Sequence, residues 1–455
     1  MKRNNRLHAV TAKCCRVLAC GLLALTLGLP TAQAKKEKYN WQTDLQHRLH
    51  YDFNATRDDV VDYIRRYVPR VNDAQIEAWE QSRALEQMTL DGEKWYFKRA
   101  ARNLFRIDPK CREIWDKAYP DDALPSEKEI VCLRNIPQIL RDAPNDANHT
   151  AQSRHMRVTY TLTVEADAVP DGTTLRCWLP FPRRDEARQP EVTLLSTSED
   201  KFILSKPDAP HSTLYMEKQA RAGQPTEFTE TFEYTCRGSW FDLSQAQPYD
   251  TGSRLYKTYT SERDCHIRFT PELRALADSL AGNIADPVEK ARRYFCYIDE
   301  NFPWASAREY STIENIPMYV WQNRHGDCGM KSLLFITLCR MSGIPARFES
   351  GFMMHPGAWN MHDWAEVWFE GLGWVPVDQS FGVQQGSTDR ERMFYLGGID
   401  SWRMIVNSDY GMPLQPKKKY PRSETVDFQR GEVEWARGNV YYDQWTWDMD
   451  IEYID

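Results

Sequence analysis

The stretch that decides the fold is residues 324–382, which read RHGDCGMKSLLFITLCRMSGIPARFESGFMMHPGAWNMHDWAEVWFEGLGWVPVDQSFG. Most positions from 333 to 341 are apolar, which predicts a central, buried helix with almost no polar face. Gly343, followed by Ile344-Pro345, is typical of a helix end. Three short runs with strand character follow, at 346–353, 364–369 and 374–377.

Three residues of this stretch can carry chemistry. Cys328 lies in the first turn of the predicted helix, where unpaired backbone N–H groups and the helix dipole favour a thiolate. His362 opens the second strand-like run, and Asp378 follows the third. A cysteine at a helix start, a histidine on one strand and an aspartate after the next is the arrangement of an activated thiol nucleophile.

Four motifs in this order resemble the transglutaminase-like superfamily, a papain-related group of thiol enzymes. They are Gly326-Asp327-Cys328, GIPAR at 343–347, MHDWAEV at 361–367 and GWVPVD at 373–378. The resemblance is strong over residues 250–400 and looser before them. It implies that Cys328 is the nucleophile, His362 the general base and acid, and Asp378 the group that orients the imidazole.

Other cysteines and histidines are weaker candidates. Cys296 and Cys339 lie within apolar helical patterns and are predicted to be buried, unreactive thiols. His325 and His355 are alternatives for the base, but one is fixed to the loop that enters the helix and the other precedes Pro-Gly in a turn. We therefore favour His362.

An oxyanion needs two hydrogen-bond donors. The backbone N–H of Cys328 can be one of them. Gln322 lies six residues upstream, a spacing that resembles the oxyanion glutamine of papain-like proteases. The indole N–H of Trp304 or Trp321 is the alternative that the transglutaminase-like resemblance implies.

Residues 1–34 are predicted to be an export signal. A basic beginning precedes an apolar core at 17–29, and Ala32-Gln33-Ala34 is typical of a cleavage site. The core is too short to span a bilayer comfortably. Cys20 faintly resembles a lipidation site, but the apolar core follows this residue, so a surface lipoprotein is not expected. We expect a periplasmic or extracellular protein with no transmembrane segment.

Composition limits the possible partners. The chain has 455 residues and a formal charge of −7, and its signal segment holds five cations and no acid, so the rest is more acidic still. This excess of negative charge argues against nucleic acid as a partner. With 42% apolar residues, 16 Trp and 22 Tyr, the chain is predicted to be well folded.

The fold class predicted is α+β, with several domains. Residues 40–150 have helical patterns, including a helix expected to hold Trp95, Tyr96 and Phe97. Alternating patterns over 155–245 predict a β-sandwich. A papain-like transglutaminase core at 250–400, with the cysteine helix packed on an antiparallel sheet, and a β extension at 401–455 complete the prediction.

Several cysteine pairings stay open. Cys111 and Cys132 could form a disulfide in an oxidising compartment. Cys177 and Cys236 are either buried thiols or an inter-strand disulfide.

No cofactor is expected. The carboxylates of Asp448, Asp450 and Glu452 alternate with apolar residues and could hold calcium, although a solvated acidic face is commoner. The histidines and cysteines show no zinc spacing.

The function predicted is attack on an amide bond through a thioester. Hydrolysis, as in a protease or amidase, is favoured over protein crosslinking by acyl transfer to an amine. A non-catalytic binding module on the same fold is the alternative of another class. The expected substrates are protein, peptide or peptidoglycan-type amides.

Overall fold

The computed structural model of this chain describes residues 39–120 and 127–454. The predicted export signal lies outside these residues. Within them, every helix is too short or too polar to cross a bilayer.

The N-terminal region is helical with a small antiparallel sheet. Its helices are α1 (Trp41–Asp52), α2 (Arg57–Arg65), α3 (Asp73–Gln81), α4 (Ala100–Ile107), α5 (Pro109–Ala118) and α6 (Glu127–Asp142). Its strands are β1 (Phe53–Ala55), β2 (Gln87–Leu90) and β3 (Glu93–Phe97), in the order β1-β3-β2. A compact apolar core that includes Ile64, Leu85 and Leu104 holds these elements together.

The helix expected around Trp95 and Phe97 is instead a β-hairpin. Asp91 and Gly92 both have positive φ angles, 51° and 84°, and they join β2 to β3. An Asp-Gly pair with this conformation matches the twist of two antiparallel strands. The prediction of a helix at residues 95–97 is therefore wrong, because the Asp91-Gly92 turn favours a hairpin.

Two five-stranded sheets form the predicted β-sandwich. The first sheet contains β4 (Thr150–Val164), β6 (Glu191–Thr197), β9 (Thr226–Trp240), β13 (Gly398–Ile399) and β17 (Trp445–Tyr453). The second contains β5 (Thr174–Pro180), β7 (Phe202–Leu204), β8 (Thr213–Gln219), β15 (Glu432–Trp435) and β16 (Gly438–Val440). Alternate side chains such as Tyr160 and Phe232 fill the space between the sheets.

The C-terminal segment completes the sandwich rather than standing beside it. Strand β17 pairs antiparallel with β4 from Trp445 opposite Val164 to Tyr453 opposite Met156. Strand β15 pairs with β5. The chain therefore leaves the sandwich to build the remaining domain and returns to close both sheets.

The domain predicted at 250–400 packs a buried helix on a four-stranded antiparallel sheet. Its helices are α7 (Arg254–Tyr259), α8 (Pro271–Ala281), α9 (Pro287–Asn301), α10 (Ile316–Asn323), α11 (Cys328–Met341) and α12 (Asp389–Arg392). Its strands are β10 (Ala346–Met353), β11 (Asn360–Phe369), β12 (Gly373–Val377) and β14 (Arg403–Ser408), in the order β12-β11-β10-β14.

Helix α11 is central because most of its side chains are apolar, and every residue from Gly329 to Arg340 is buried. Leu333, Leu334 and Phe335 are fully buried, and the helix packs on β10 and β11. Each such side chain contributes about 1.5–3 kcal/mol on burial. Gly343, with φ +74°, ends the helix as expected. The predicted fold, with Cys328 at the start of this helix, is confirmed.

The structure shows which of the described cysteines are free thiols. Cys177 and Cys236 are buried free thiols, so no inter-strand disulfide joins them. Cys111 is also a free thiol.

Candidate functional site

Helix α11 begins at Cys328 because Asp327 caps it. The Asp327 carboxylate accepts a hydrogen bond from the backbone N–H of Met330 at 3.1 Å. The hydroxyl of Tyr310 donates to the same oxygen at 2.6 Å. The cap holds the first turn, and Cys328 with it, at the wall of a cavity.

The carboxyl group of Asp363 contacts the Cys328 sulfur. Its Oδ2 atom lies 3.4 Å from Sγ. Asp363 follows His362 on β11, and its Oδ1 atom accepts from Nε2 of Gln429 at 2.9 Å. A residue that sequence reasoning did not single out is thus a hydrogen-bond partner of the candidate nucleophile.

The environment of Cys328 favours the thiol over the thiolate. Burial raises the pKa of Cys328 well above its ordinary value, and the charges of Asp363 and Asp327 raise it further. These effects oppose the helix dipole, which the sequence suggested would favour the thiolate. A base must therefore remove the proton when the sulfur reacts.

His362 and Asp378 lie together, as the sequence predicts for a base and its orienting group. Nε2 of His362 is 2.8 Å from Oδ2 of Asp378. The imidazole also lies against the rings of Trp364 and Phe381, at centroid distances of 5.9 and 5.3 Å. The other carboxylate oxygen of Asp378 accepts from the backbone N–H groups of Ser380 and Phe381, each at 3.0 Å.

The carboxylate of Asp378 also forms an ion pair with a buried arginine. Arg403 Nη1 lies 2.8 Å from Asp378 Oδ2, and Arg403 Nη2 donates to Asp400 at 2.6 Å. Burial opposes the ionisation of Asp378, but His362 and Arg403 outweigh it and hold its pKa below the ordinary range. Asp378 is therefore a carboxylate at all working pH values.

The two alternative histidines are placed elsewhere. His355 is fully buried, with Nε2 3.1 Å from Asp400, and its ring stacks on Phe381, whose other contacts include His362. His325 is buried beside the ring of Tyr319, and burial lowers its pKa to about 4. Neither is among the residues that line the cavity at Cys328, and His362 and Asp378 are not among them either. The preference for His362 therefore rests on its pairing with Asp378.

The cavity at Cys328 has a volume of about 460 Å³ and is built by three parts of the chain. The N-terminal region contributes Lys98 and Arg99, and the C-terminal segment contributes Asp427 and Arg430. No sequence motif indicates a functional role for either part.

The three candidate oxyanion donors occupy different positions. Trp304 lines the cavity and is 40% exposed. Gln322 is exposed and accepts a hydrogen bond from Arg83 at 3.2 Å, and Trp321 is half-buried beside Arg324. Neither Gln322 nor Trp321 is among the cavity-lining residues. The geometry therefore favours Trp304.

No described group of three or more histidine, cysteine or acidic side chains is suited to hold a metal ion. On β17, Asp448, Asp450 and Glu452 are exposed, and Glu452 accepts a hydrogen bond from Arg157 at 2.8 Å.

Sequence reasoning missed Asp363, Gln429 and Arg403. A signal existed for Asp363, because it shares the inward phase of Ala365 and Val367 on β11 and is thus an acid in an apolar row. No local pattern marks Gln429 or Arg403, since both reach the site from segments that are distant along the chain.

One part of the chain matches a known protein family. Residues 274–379 match the family described as the Transglutaminase-like superfamily. No curated protein sequence matches the chain significantly.

Three solved structures are similar to parts of the chain. "A Putative Cysteine Protease from Cytophaga hutchinsonii" has a TM-score of 0.46 and 13% identity, and the match covers 67% of this chain and 92% of that one. The periplasmic domain of TgpA from Pseudomonas aeruginosa has a TM-score of 0.25 and 17% identity, with 58% and 95% coverage. "A Putative Protease from Parabacteroides distasonis" has a TM-score of 0.20 and 10% identity, with 53% and 64% coverage. At these scores the three structures carry no argument about this chain.

Proposed function

We propose that this chain, whose residues 274–379 form a transglutaminase-like domain, is a thiol enzyme that attacks amide bonds. Cys328 would be the nucleophile, His362 the base and acid, and Asp378 the orienting group. The observation that carries the proposal is a cysteine at a helix start on a cavity wall, in a domain that also holds a paired His362 and Asp378.

The proton route follows from the pairing of His362. Because its Nε2 bonds to Asp378, a proton from the Cys328 thiol would be accepted at Nδ1. The ionised Asp378 would then stabilise the imidazolium, and its own bonds to Arg403 and two backbone N–H groups keep it in place.

The covalent step would join Cys328 to the substrate. The sulfur forms a bond to the amide carbon, and the imidazolium returns its proton to the departing amine, leaving a thioester on Cys328. The backbone N–H of Cys328 and the indole N–H of Trp304 are the proposed donors to the oxyanion. Trp304 is preferred over Gln322 and Trp321 because it lines the cavity.

Hydrolysis is the proposed fate of the thioester. The cavity wall includes buried hydroxyl groups of Ser423 and Thr425 that have no hydrogen-bond partner among the described residues. Polar groups of this kind stabilise ordered water, which is the acceptor that hydrolysis needs.

Acyl transfer to an amine is the second candidate, and one observation favours it. Asp327, Asp363 and Asp427 line the same cavity and would attract a cationic amine. The predicted export signal leads us to propose that either reaction takes place in the periplasm or outside the cell. Protein, peptide or peptidoglycan-type amides are the proposed substrates.

Product analysis by mass spectrometry tests this function. The chain is incubated with peptide and peptidoglycan libraries, alone and with a lysine-analogue amine. We expect cleaved or deamidated products from the wild-type chain and none from Cys328→Ala. The matched control is Cys339→Ala, a buried thiol of the same helix, which should remain active. Amine-joined products without hydrolysis would identify crosslinking, and full activity of Cys328→Ala would overturn the proposal.

A further inference from the structure

The carboxyl group of Asp363 is held beside the Cys328 sulfur by contacts at both of its oxygens. Gln429 donates from Nε2 to Asp363 and also to the backbone carbonyls of Gly351 and His362, at 2.8 and 3.0 Å. A Cβ atom at position 329 would lie only 2.6 Å from Asp363 Oδ2, so the space there suits only a glycine. Gln429 at one oxygen and the close backbone of Gly329 at the other thus orient Asp363 for the 3.4 Å contact between Oδ2 and Sγ.

The charges around this contact are mostly negative. Asp327 approaches from α11, Asp427 and Glu424 approach from the segment after β14, and Tyr310 lies beside Asp327. The nearby cation Arg430 forms its hydrogen bonds with Glu309 and Glu424 rather than with Asp363.

Lys331 is the buried cation on α11 that faces Cys328, and it also faces Asp299 and Asp378. Burial lowers the pKa of Lys331, while these acidic neighbours oppose the effect.

We propose that Asp363 and Cys328 share one proton and that Asp363 thereby sets the pH range in which the thiolate forms. The proton moves between Sγ and Oδ2, so that a thiol beside a carboxylate becomes a thiolate beside a carboxylic acid. The pair carries one negative charge in both forms. In the second form the acid donates its hydrogen bond to the sulfur.

Loss of the last proton would place two negative charges 3.4 Å apart in a buried site, which is strongly unfavourable. Burial, Asp427 and Asp327 already raise the pKa of Asp363 well above its ordinary value, which agrees with a carboxyl group that retains a proton. The effect on turnover rests on the proposed function of Cys328, but the shared proton itself does not.

Alkylation of the thiols tests the shared proton without any substrate. The rate of iodoacetamide labelling at Cys328 is measured by peptide mapping from pH 5 to 10 in the wild-type chain and in Asp363→Asn. The asparagine keeps the shape and can still accept from Gln429, but it cannot ionise. Cys265 is exposed and serves as an internal reference.

We expect Asp363→Asn to label Cys328 about tenfold faster for each unit by which the thiol pKa falls, with no change at Cys265. We also expect the wild-type rate at Cys328 to rise with pH in two steps, because the pair titrates as a unit. An unchanged profile in a folded Asp363→Asn variant would overturn the proposal. If that variant does not fold, a single-step profile in the wild-type chain would overturn it. Loss of turnover on every library substrate would count against the proposed function and not against the shared proton.

A second, independent feature is a stripe of arginines at the mouth of the cavity. Arg99, Arg102 and Arg106, here called the arginine stripe, are exposed on α4 and at its start. The Arg106 guanidinium lies 4.5 Å from the ring centre of Trp304, which lines the cavity together with Arg99. Two hydrogen bonds between Asn103 and the backbone of Ser306 fix the helix to the cavity wall.

No described acidic residue forms an ion pair with any arginine of the stripe, although the chain as a whole has a charge of −7. Positive charge is therefore concentrated beside the entrance on an otherwise acidic protein.

We infer that the arginine stripe binds an acidic peptide segment of the substrate as it enters the cavity. Exposed guanidinium groups pair readily with carboxylates, and the long-range attraction would raise the association rate. This inference rests on the proposed function only where it identifies the acidic peptide as part of a substrate.

Binding of a fluorescent oligoglutamate peptide tests the stripe. Fluorescence anisotropy compares the wild-type chain with the triple variant Arg99→Gln, Arg102→Gln and Arg106→Gln. The control triple variant is Arg65→Gln, Arg66→Gln and Arg70→Gln, which changes exposed arginines that do not line the cavity.

We expect at least tenfold weaker binding in the stripe variant and wild-type binding in the control. Bound oligoglutamate should also slow the alkylation of Cys328 in the wild-type chain. Equal binding by both triple variants would overturn the inference, as would stronger binding to anionic lipid vesicles than to the peptide. These readouts do not depend on turnover, so failure of the proposed function would leave them interpretable.

Discussion

At the scale of single residues, the candidate site divides into two connected parts. One is the Cys328 sulfur with the Asp363 carboxyl and Gln429, and the other is His362 with Asp378 and Arg403. The first part controls how easily the thiol loses its proton. The second keeps Asp378 ionised behind the imidazole.

The roles of His362 and Asp378 can be separated by substitution. We expect His362→Ala to remove nearly all turnover. Asp378→Asn should be milder, because asparagine can hold the imidazole but stabilises its charge poorly, with a loss in kcat of at most about 10⁴-fold. His325→Ala and His355→Ala should keep most of the activity. If His355→Ala is as damaging as His362→Ala in a folded protein, the base has been assigned to the wrong residue.

Replacement of Arg403 is expected to lower the stability of the folded protein. It is buried and lies between Asp378 and Asp400, so Arg403→Met would leave two buried carboxylates with less compensation. We expect a loss of about 3–5 kcal/mol in the free energy of unfolding, measured by urea denaturation. The control is Arg292→Met, which breaks an exposed pair with Asp389 and should cost about 1 kcal/mol or less. Equal losses in the two variants would contradict this account of Arg403.

The limits of sequence reasoning at this scale are physical. Cys328, His362 and Asp378 stand in local motifs, so the order of residues was enough to single them out. Arg403 reaches Asp378 only because β14 pairs with β10 in the folded sheet, where Met353 lies opposite Arg403. Gln429 enters from a segment that lacks regular structure, and no periodicity indicates where such a side chain points.

At the scale of secondary structure, helix α11 shows how a cap can carry a pH dependence. Burial raises the pKa of Asp327 to about 6, above its ordinary value near 4. Between these values the folded state binds more protons than the unfolded state, so stability falls as pH rises through this window. The folded state therefore loses stability as Asp327 ionises, because the desolvation of the buried charge outweighs the hydrogen bonds that favour the carboxylate.

The variant Asp327→Asn tests this dependence, since asparagine is also a good N-cap. Urea denaturation at pH 4 and pH 7 should show that the wild-type chain loses up to about 3 kcal/mol more than the variant over this range. Asp286→Asn, at the exposed N-cap of α9, is the control and should keep the wild-type pH dependence. The same pH dependence in wild-type and Asp327→Asn chains would contradict the account.

Elements with strong periodicity were predictable, and those decided by turns were not. The apolar run of α11 and the alternation of β4 were sufficient to predict these two elements from the order of residues alone. The aromatic run at 95–97 fits a helix or a strand equally well. The Asp91-Gly92 turn decided between them.

At the scale of the whole molecule, the order of domains along the chain differs from their arrangement in space. Strands from the middle and from the C-terminal end of the chain form one sandwich, and the N-terminal region and the C-terminal segment both line the cavity at Cys328. The sequence indicated the strand character of residues 445–453 but not their partner. Nothing local specifies that β17 pairs with β4, almost three hundred positions away.

Removal of β17 tests this closure. A chain that ends after Val440 would expose one edge of β4 and lose the buried side chains of Trp445 and Met449. We expect it to aggregate or to unfold without a cooperative transition, as measured by size-exclusion chromatography and thermal unfolding. A control that ends after Tyr453 should behave as the full chain. A soluble truncated protein with the wild-type unfolding midpoint would show that β17 is dispensable.

The central claim is that Cys328 forms a covalent thioester with its substrate, and the most direct measurement is mass analysis of the enzyme during turnover. A reaction with a substrate found in the library screen is quenched in acid, and the adduct is located by peptide mapping. The account predicts an acyl group on Cys328 that hydroxylamine removes. An adduct on another residue, or turnover by Cys328→Ala at the wild-type rate, would contradict it.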